Sequence, residues 1–75
     1  MRIEIFTGPG CSHCQAAKAL LDARCLAYEE HDMTDPEVRA DYAARLPRAK
    51  SIPQIFIDGT HIGGAEDLRH HFGQR

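Results

Sequence analysis

A run of turn-forming residues near the start of the chain, Thr7-Gly8-Pro9-Gly10, constrains the fold more than any other feature of the sequence. Before this run, residues Arg2–Phe6 alternate polar and apolar side chains and end on two apolar residues, which is typical of a central strand. After it, apolar residues recur at helical spacing among good helix formers. The pattern therefore predicts a strand over Arg2–Phe6, a tight connection, and a helix over about Ser12–Arg24.

The rest of the chain continues this alternation of strands and helices. The segment Thr34-Asp35-Pro36-Glu37 predicts a helix start, because Thr34 is a capping residue, a proline follows in the first turn, and a glutamate lies three residues after Thr34. Asp58-Gly59 is typical of a tight hairpin turn. The remaining predicted elements are a strand over Ala27–Met33, the second helix to about Leu46, strands over Ile52–Ile57 and Thr60–Ile62, and a last short helix from about Glu66 to Phe72.

The predicted order is strand, helix, strand, helix, strand, strand, helix. The first strand pair should be parallel, joined by a right-handed crossover, and the last pair should be an antiparallel hairpin. This order predicts an α/β, thioredoxin-like fold with a four-stranded mixed sheet flanked by three helices. With 75 residues, the chain is expected to form a single domain over residues 1–75.

Charge and hydropathy exclude several classes of partner. The formal net charge is -2 and the basic residues are scattered among acidic ones, so no basic stripe predicts nucleic-acid binding. The chain does not start with a basic segment followed by a long apolar run, and no later run approaches the length of a membrane span. We therefore expect a cytoplasmic protein that contacts neither nucleic acid nor membrane. We also expect it to be a monomer.

The three cysteines predict redox or metal chemistry. An odd number, with Cys11 and Cys14 only three residues apart, is a poor framework for structural disulfides. Cys11 lies where a helix is predicted to begin, and unpaired N–H groups with the positive end of the helix dipole stabilise a thiolate there. Cys14 follows one turn later on the same face and is predicted to be partly packed. Cys11 is therefore the expected nucleophile, and Cys14 the expected resolving thiol.

A structural zinc site is the competing hypothesis for the cysteine pair. A tetrahedral site needs two further ligands, for which Cys25 and His31 are the candidates. Cys25 is predicted near the far end of the first helix, roughly 20 Å from Cys11 at helical rise. This distance favours redox chemistry, so no metal ligands are predicted.

Three motifs in order resemble those of a dithiol glutaredoxin and together span nearly the whole chain. They are the Cys-Ser-His-Cys segment after the first strand, the segment Ser51–Gly59 with its Ile-Pro pair, and the segment Ile62–Leu68 with its two glycines. The resemblance implies an enzyme with a redox-active dithiol that takes part in electron transport and in cell redox homeostasis. It implies glutathione as reductant, with disulfide-containing or glutathionylated proteins as partners.

The resemblance also assigns a glutathione site. In proteins similar to this one, the proline at the Pro53 position follows a cis peptide bond, which would expose the Ile52 backbone to the cysteinyl part of glutathione. The two glycines and the helix start after them suit the γ-glutamyl carboxylate. The implied glutathione-binding residues are Ser51, Ile52, Pro53, Gly64, Ala65, Glu66 and Asp67. Without the resemblance, Pro53 could equally be an ordinary strand-entry proline, and the glycines could simply close a hairpin.

Two positions depart from the family pattern. Relatives usually carry a lysine three residues before the first cysteine and a polar residue on the second helix, both of which contact the glycine carboxylate of glutathione. Here these positions are Gly8 and Ala40. The candidate substitutes are Arg39, Arg48 and Lys50, with Lys50 as the first choice.

The residues between the cysteines also differ from the common Pro-Tyr pair. His13 either stabilises the thiolate when protonated or is an exposed helix residue. Ser12 in place of proline resembles glutaredoxins that hold a [2Fe-2S] cluster between two protomers, which is the alternative function. A redoxin supplied by a thioredoxin-type reductase is another alternative. Among the remaining candidates, Cys25 is predicted to pack as a small apolar residue, and His61, His70 and His71 are predicted to be solvated.

Overall fold

The computed structural model describes residues 1–73, and its elements follow the predicted order. The elements are β1 Ile3–Thr7, α1 Ser12–Ala23, β2 Glu29–Asp32, α2 Pro36–Arg45, β3 Gln54–Ile57, β4 Thr60–Gly63 and α3 Ala65–Gly73. The sheet has the strand order β2-β1-β3-β4, with β1 parallel to β2 and antiparallel to β3, and β3 antiparallel to β4. The predicted thioredoxin-like fold is therefore confirmed. Within residues 1–73, the helices are too short or too polar for any of them to cross a membrane.

Each face of the sheet has its own apolar cluster. Alternate residues of a strand point to opposite faces, so Ile3 and Ile5 of β1 pack on one side and Phe6 on the other. Each large side chain buried in this way contributes about 1.5–3 kcal/mol to stability. The first cluster joins the sheet to α1 and α3, and it consists of Ile3, Ile5, Ala17, Leu21, Ile55, Ile57 and Leu68. The second joins the sheet to α2, and it consists of Phe6, Tyr42, Leu46 and Phe56.

Several strand ends differ from prediction. The second strand covers Glu29–Asp32 and not Ala27–Met33, because its register with β1 pairs only Glu4–Thr7. The third strand begins at Gln54 and not at Ile52, because Pro53 has no N–H to donate to a neighbouring strand. The loop before β3 is consequently longer than predicted, and it forms part of the site.

The cap of α2 is Asp35, so the prediction of Thr34 as the capping residue was wrong. The carboxylate of Asp35 accepts the N–H of Glu37 at 2.9 Å, and Pro36 occupies the first helical position. Thr34 lies one residue earlier, in a turn where its N–H donates to the carboxylate of Asp32 at 2.9 Å.

The turn after α1 contradicts the prediction that Cys25 packs in the interior. Cys25 is exposed and has a φ of 57°. Its N–H donates to the carbonyl of Asp22, and the N–H of Leu26 donates to the carbonyl of Leu21. This is the Schellman arrangement that ends many helices, with the left-handed position usually filled by glycine. Leu26, and not Cys25, therefore returns to the apolar cluster.

A buried carboxylate ties β1 to α2. Glu4 is 3% exposed, and Arg45 donates to its two carboxylate oxygens at 2.9 and 3.1 Å. Nε2 of His31 lies 3.1 Å from the same carboxylate. The hydrogen bonds from Arg45 outweigh the effect of burial and lower the pKa of Glu4 to about 2. Glu4 is therefore an ionised and fully partnered group inside the fold.

Candidate active site

Cys11 is the capping residue of α1. Gly10 precedes it with a φ of 69°, a conformation that glycine adopts without strain, and Cys11 itself is extended. The N–H of Cys14 donates to Sγ of Cys11 at 3.1 Å. The sulfur of Cys11 thus accepts one of the N–H groups that helix geometry leaves unpaired, as expected for a site that stabilises a thiolate.

The two cysteines of the motif form a disulfide and differ in exposure. Their Cα atoms are 5.2 Å apart, which lies within the range for disulfide bonding. Cys11 is partly exposed, whereas Cys14 is 1% exposed and packed at the buried face of α1. Of the two sulfurs, that of Cys11 is the one an external disulfide can approach.

The loop before β3 passes beside this disulfide. The Ile52-Pro53 bond is cis, as the resemblance implied, and Sγ of Cys11 lies 3.8 Å from the carbonyl oxygen of Ile52. The Tyr42 hydroxyl donates to the carbonyl oxygen of Ser51 at 2.7 Å, and the side-chain amide of Gln54 donates to the same oxygen at 3.2 Å. Tyr42 and Gln54 therefore fix the loop that faces the cysteines.

A second loop meets the first at the start of α3. Gly63 has a φ of 121°, and a Cβ on Gly64 would lie 3.6 Å from the carbonyl oxygen of Pro53. The Asp67 carboxylate accepts the N–H of Gly64 at 2.9 Å. The first N–H groups of a helix have no partner within it, so those of Ala65 and Glu66 can donate to an external anion.

One cavity of about 640 Å³ brings the predicted glutathione-binding residues together. Its volume is in the range of small-molecule sites. Cys11 does not line it, but the Ile52 carbonyl 3.8 Å from the Cys11 sulfur belongs to a lining residue. The lining includes all seven predicted residues, Ser51, Ile52, Pro53, Gly64, Ala65, Glu66 and Asp67, and in addition His13, Ala16, Ala19, Leu20 and Arg69.

Sequence reasoning missed Arg69 and Tyr42 at this site. Arg69 lines the cavity and donates to Glu66 at 2.8 Å, and this contact lowers the pKa of Glu66. Its position three residues after Glu66 could have suggested a pair on one helix face. Tyr42 is 8% exposed on the inner face of α2, where an isolated aromatic residue indicates only packing.

The proposed substitutes for the missing carboxylate contacts do not lie in the cavity. Nη1 of Arg39 donates to the carbonyl oxygens of Met33 and Thr34 at 2.9 and 3.0 Å. Arg48 and Lys50 are exposed and are not among the lining residues. The first choice, Lys50, is thus not supported by the geometry.

The fold and the site define a class of enzyme, and comparison with known proteins shows the family. A thioredoxin-like fold with a Cys-x-x-Cys pair at a helix start is the arrangement of a thiol-disulfide oxidoreductase. The glutaredoxin family profile matches residues 3–62, which is most of the chain. The chain therefore belongs to the glutaredoxin family.

Individual proteins support this assignment. Glutaredoxin 1 of Rickettsia bellii is 48% identical over 71 residues, covering 88% of this chain and 71% of that protein. Hybrid peroxiredoxin hyPrx5 of Haemophilus influenzae is 45% identical over 74 residues, covering 93% of this chain but only 29% of that longer protein. A buckwheat glutaredoxin in complex with glutathione superposes with a TM-score of 0.80 at 28% identity, covering 95% of this chain and 69% of the other.

Proposed function

We propose that this chain is a cytoplasmic, monomeric reductase of protein disulfides and glutathione mixed disulfides, with glutathione as its electron donor. One observation supports this function above the others. The partly exposed sulfur of Cys11 lies 3.8 Å from the Ile52 carbonyl, beside a cavity lined by the residues that the family uses for glutathione. The glutathione complex of the buckwheat relative supports the choice of ligand.

Cys11 performs the first step and Cys14 the second. After the Cys11–Cys14 disulfide has been reduced, the Cys11 thiolate attacks one sulfur of a substrate disulfide, a new S–S bond forms, and the other sulfur leaves as a thiolate. With a protein disulfide, Cys14 then attacks the mixed disulfide at Cys11, which releases the second substrate thiol and restores the Cys11–Cys14 bond. With a glutathione mixed disulfide, Cys11 takes the glutathionyl group and a second glutathione removes it as glutathione disulfide. In the protein-disulfide cycle, two glutathione molecules reduce the Cys11–Cys14 bond again and leave as glutathione disulfide. In the mixed-disulfide cycle, one free glutathione is consumed, because the glutathionyl group of the substrate becomes the other half of the glutathione disulfide.

The cavity residues bind glutathione in extended form. The Ile52 backbone pairs with the cysteinyl part as a neighbouring strand would. The N–H groups at Ala65 and Glu66 bind the γ-glutamyl carboxylate at the helix start. Asp67 accepts the Gly64 N–H and holds this helix start in place, while Ser51, Pro53 and Gly64 shape the wall beside it.

A comparison of electron donors tests this function. We expect disulfide reduction to be fast with glutathione plus glutathione reductase and slow with thioredoxin reductase alone. Faster turnover with thioredoxin reductase would instead identify a thioredoxin-type redoxin. The redox-inactive Cys11→Ser protein is the matched control for background thiol exchange.

The hybrid peroxiredoxin relative suggests one class of protein substrate. Because that longer protein matches this chain over 29% of its length at 45% identity, a peroxiredoxin oxidised by peroxide is a candidate target. Peroxide consumption by a purified peroxiredoxin, with and without this protein and glutathione, tests the assignment. The Cys14→Ser variant would show whether the target is reduced as a glutathione mixed disulfide or as a protein disulfide.

Cluster binding is the second candidate function. It is motivated by Ser12 in place of proline at the start of α1 and by the partial exposure of Cys11, which could supply one thiolate per chain. Anaerobic incubation with iron, sulfide and glutathione should then give a brown dimer with visible absorption. A colourless monomer would leave only the oxidoreductase function, and Ser12→Pro should weaken any cluster without abolishing disulfide reduction.

A further inference from the structure

The charge of the cavity wall bears on which thiol it binds. Among the lining residues, all of which lie within the described residues 1–73, Arg69 is the one permanent cation, and it contacts the Glu66 carboxylate at 2.8 Å. Asp67 adds a second carboxylate, so the lining carries one net negative charge when His13 is neutral. Glutathione has two carboxylates and one ammonium group at neutral pH. This wall does not offer a free cation to the second carboxylate.

The described residues near the far end of an extended ligand also provide no free cation. If the γ-glutamyl end lies at Gly64, the opposite end of a strand-like ligand leaves Ile52 in the direction away from α3. Gly8 contacts Ile52: a Cβ built on Gly8 would lie 2.8 Å from Cδ1 of Ile52. Gly8 does not have a positive φ, so it is the Ile52 side chain, and not the backbone, that restricts a larger residue here.

Within residues 1–73, the three predicted substitutes, Arg39, Arg48 and Lys50, do not replace the missing contact. The Arg39 guanidinium is held by two backbone carbonyls, and Ala40 has only a methyl group. Lys50 is exposed outside the cavity lining. A carboxylate at the far end of the ligand therefore remains solvated and gains little from binding.

We infer that the site recognises the γ-glutamyl and cysteinyl parts of its thiol ligand and not the terminal carboxylate. A γ-glutamylcysteinyl thiol whose terminal carboxyl is blocked as an amide should therefore bind as well as free glutathione or better. This inference rests on the proposed function and narrows its substrate class. The negative wall favours the amide, because the amide removes one negative charge from the ligand.

A single chemical step isolates this preference. The same reporter peptide is prepared as a mixed disulfide with glutathione and with glutathione amidated at glycine. Reduced Cys14→Ser protein attacks the ligand sulfur through Cys11, and the peptide leaves as a thiolate, so no further reductant is needed. Chromatography of the released peptide gives the second-order rate constant for each mixed disulfide, from which the ratio of amide to free acid follows.

Three variants in this Cys14→Ser background separate the possible contacts. Lys50→Gln removes the nearest exposed lysine by sequence. Gly8→Lys combined with Ile52→Val places a cation at the far end and removes the Cδ1 atom that would collide with it. Ile52→Val alone is the matched control for the changed wall.

We expect the ratio of amide to free acid to be one or more for the parent, for Lys50→Gln and for Ile52→Val. For Gly8→Lys/Ile52→Val we expect this ratio to fall about tenfold, since a charged hydrogen bond is worth about this factor. Raising the ionic strength should not slow the reaction of the parent with the free acid, because salt weakens only an attraction between opposite charges. This measurement uses the parent alone and so does not depend on the folding of another variant. A tenfold preference of the parent for free glutathione, or a selective loss of that substrate in Lys50→Gln, would overturn the inference while leaving the proposed function intact. If the parent reacted with neither mixed disulfide, the proposed function itself would be overturned.

Discussion

Sγ of Cys11 lies 3.8 Å from the carbonyl oxygen of Ile52, although these residues are 41 positions apart in the chain. The contact joins the start of α1 to the loop before β3, so the dithiol and the backbone that we propose to bind glutathione lie side by side. The position of that loop depends on α2 as well, because Tyr42 donates to the carbonyl of Ser51. All three layers of the fold therefore contribute to the geometry at the reactive sulfur.

The first prediction concerns the division of roles between the cysteines. Cys14→Ser should retain activity on a glutathione mixed disulfide and lose reduction of protein disulfides, because Cys11 is accessible and Cys14 is 1% exposed. Cys11→Ser should lose both activities. Turnover of the two substrate types by both variants measures this asymmetry, and equal losses would contradict the assigned roles.

The second prediction concerns the nucleophile of the reduced protein. The N–H of Cys14 points at the Cys11 sulfur from the first turn of α1, so the Cys11 thiol should have a pKa well below that of free cysteine, which is about 8.5. The rate of iodoacetamide alkylation as a function of pH, with Cys14→Ser/Cys25→Ser as the single-thiol protein, reports it. A midpoint at or above the free-cysteine value would remove the argument for Cys11 as the attacking group.

The third prediction concerns the buried pair of Glu4 and Arg45. Arg45→Met should destabilise the oxidised protein by about 3 kcal/mol at neutral pH, because it leaves the Glu4 carboxylate buried without its main partner. Arg69→Met is the matched control, since its pair with Glu66 is solvent-exposed and its loss should change stability far less. Urea unfolding of the three proteins measures both values.

The pH dependence of this pair has a defined sign. The pKa of Glu4 is lowered from 4.5 to about 2 in the folded protein, chiefly by Arg45. Its contribution to stability is therefore present above about pH 4.5 and is lost as the pH falls toward 2, a change of about 3 kcal/mol. The gap between the parent and Arg45→Met should narrow over this range, and a constant gap would show that Glu4 does not titrate as stated.

The fourth prediction concerns the glycine before α3. Gly63→Ala should destabilise the protein by about 1–3 kcal/mol, because φ is 121° and a Cβ would lie 2.8 Å from Cγ of Asp67. It should also weaken glutathione binding, since Asp67 caps the helix start. Gly59→Ala has a similar backbone cost without a contact within 4 Å, so a comparable loss of glutathione binding in that variant would contradict the role of the Asp67 contact.

Local patterns predicted the elements and the reactive pair. The turn at Asp58-Gly59 and the helix start at Cys11 depend on residues next to each other in the chain, and both are confirmed. The family resemblance placed Ser51 and Gly64 at one site, and the cavity brings them together.

Long-range pairings were not accessible to the same reasoning. The alternating pattern of the first strand did not reveal the partners of Glu4, because Arg45 and His31 are 41 and 27 positions away. Cys25 looked apolar and packed, because the Schellman turn that exposes it is usually marked by glycine. Lys50 is close to the site in sequence, yet its side chain does not line the cavity.

The position of β2 at one edge of the sheet affects whether two copies of this protein can associate through their strands. Its four residues, Glu29, Glu30, His31 and Asp32, are polar or charged and largely exposed. An unpaired strand edge can recruit the edge of a second molecule and begin an aggregate, and charged side chains oppose this. Two such edges side by side would bring six carboxylates together, so concentrated solutions should resist growth by strand addition along β2.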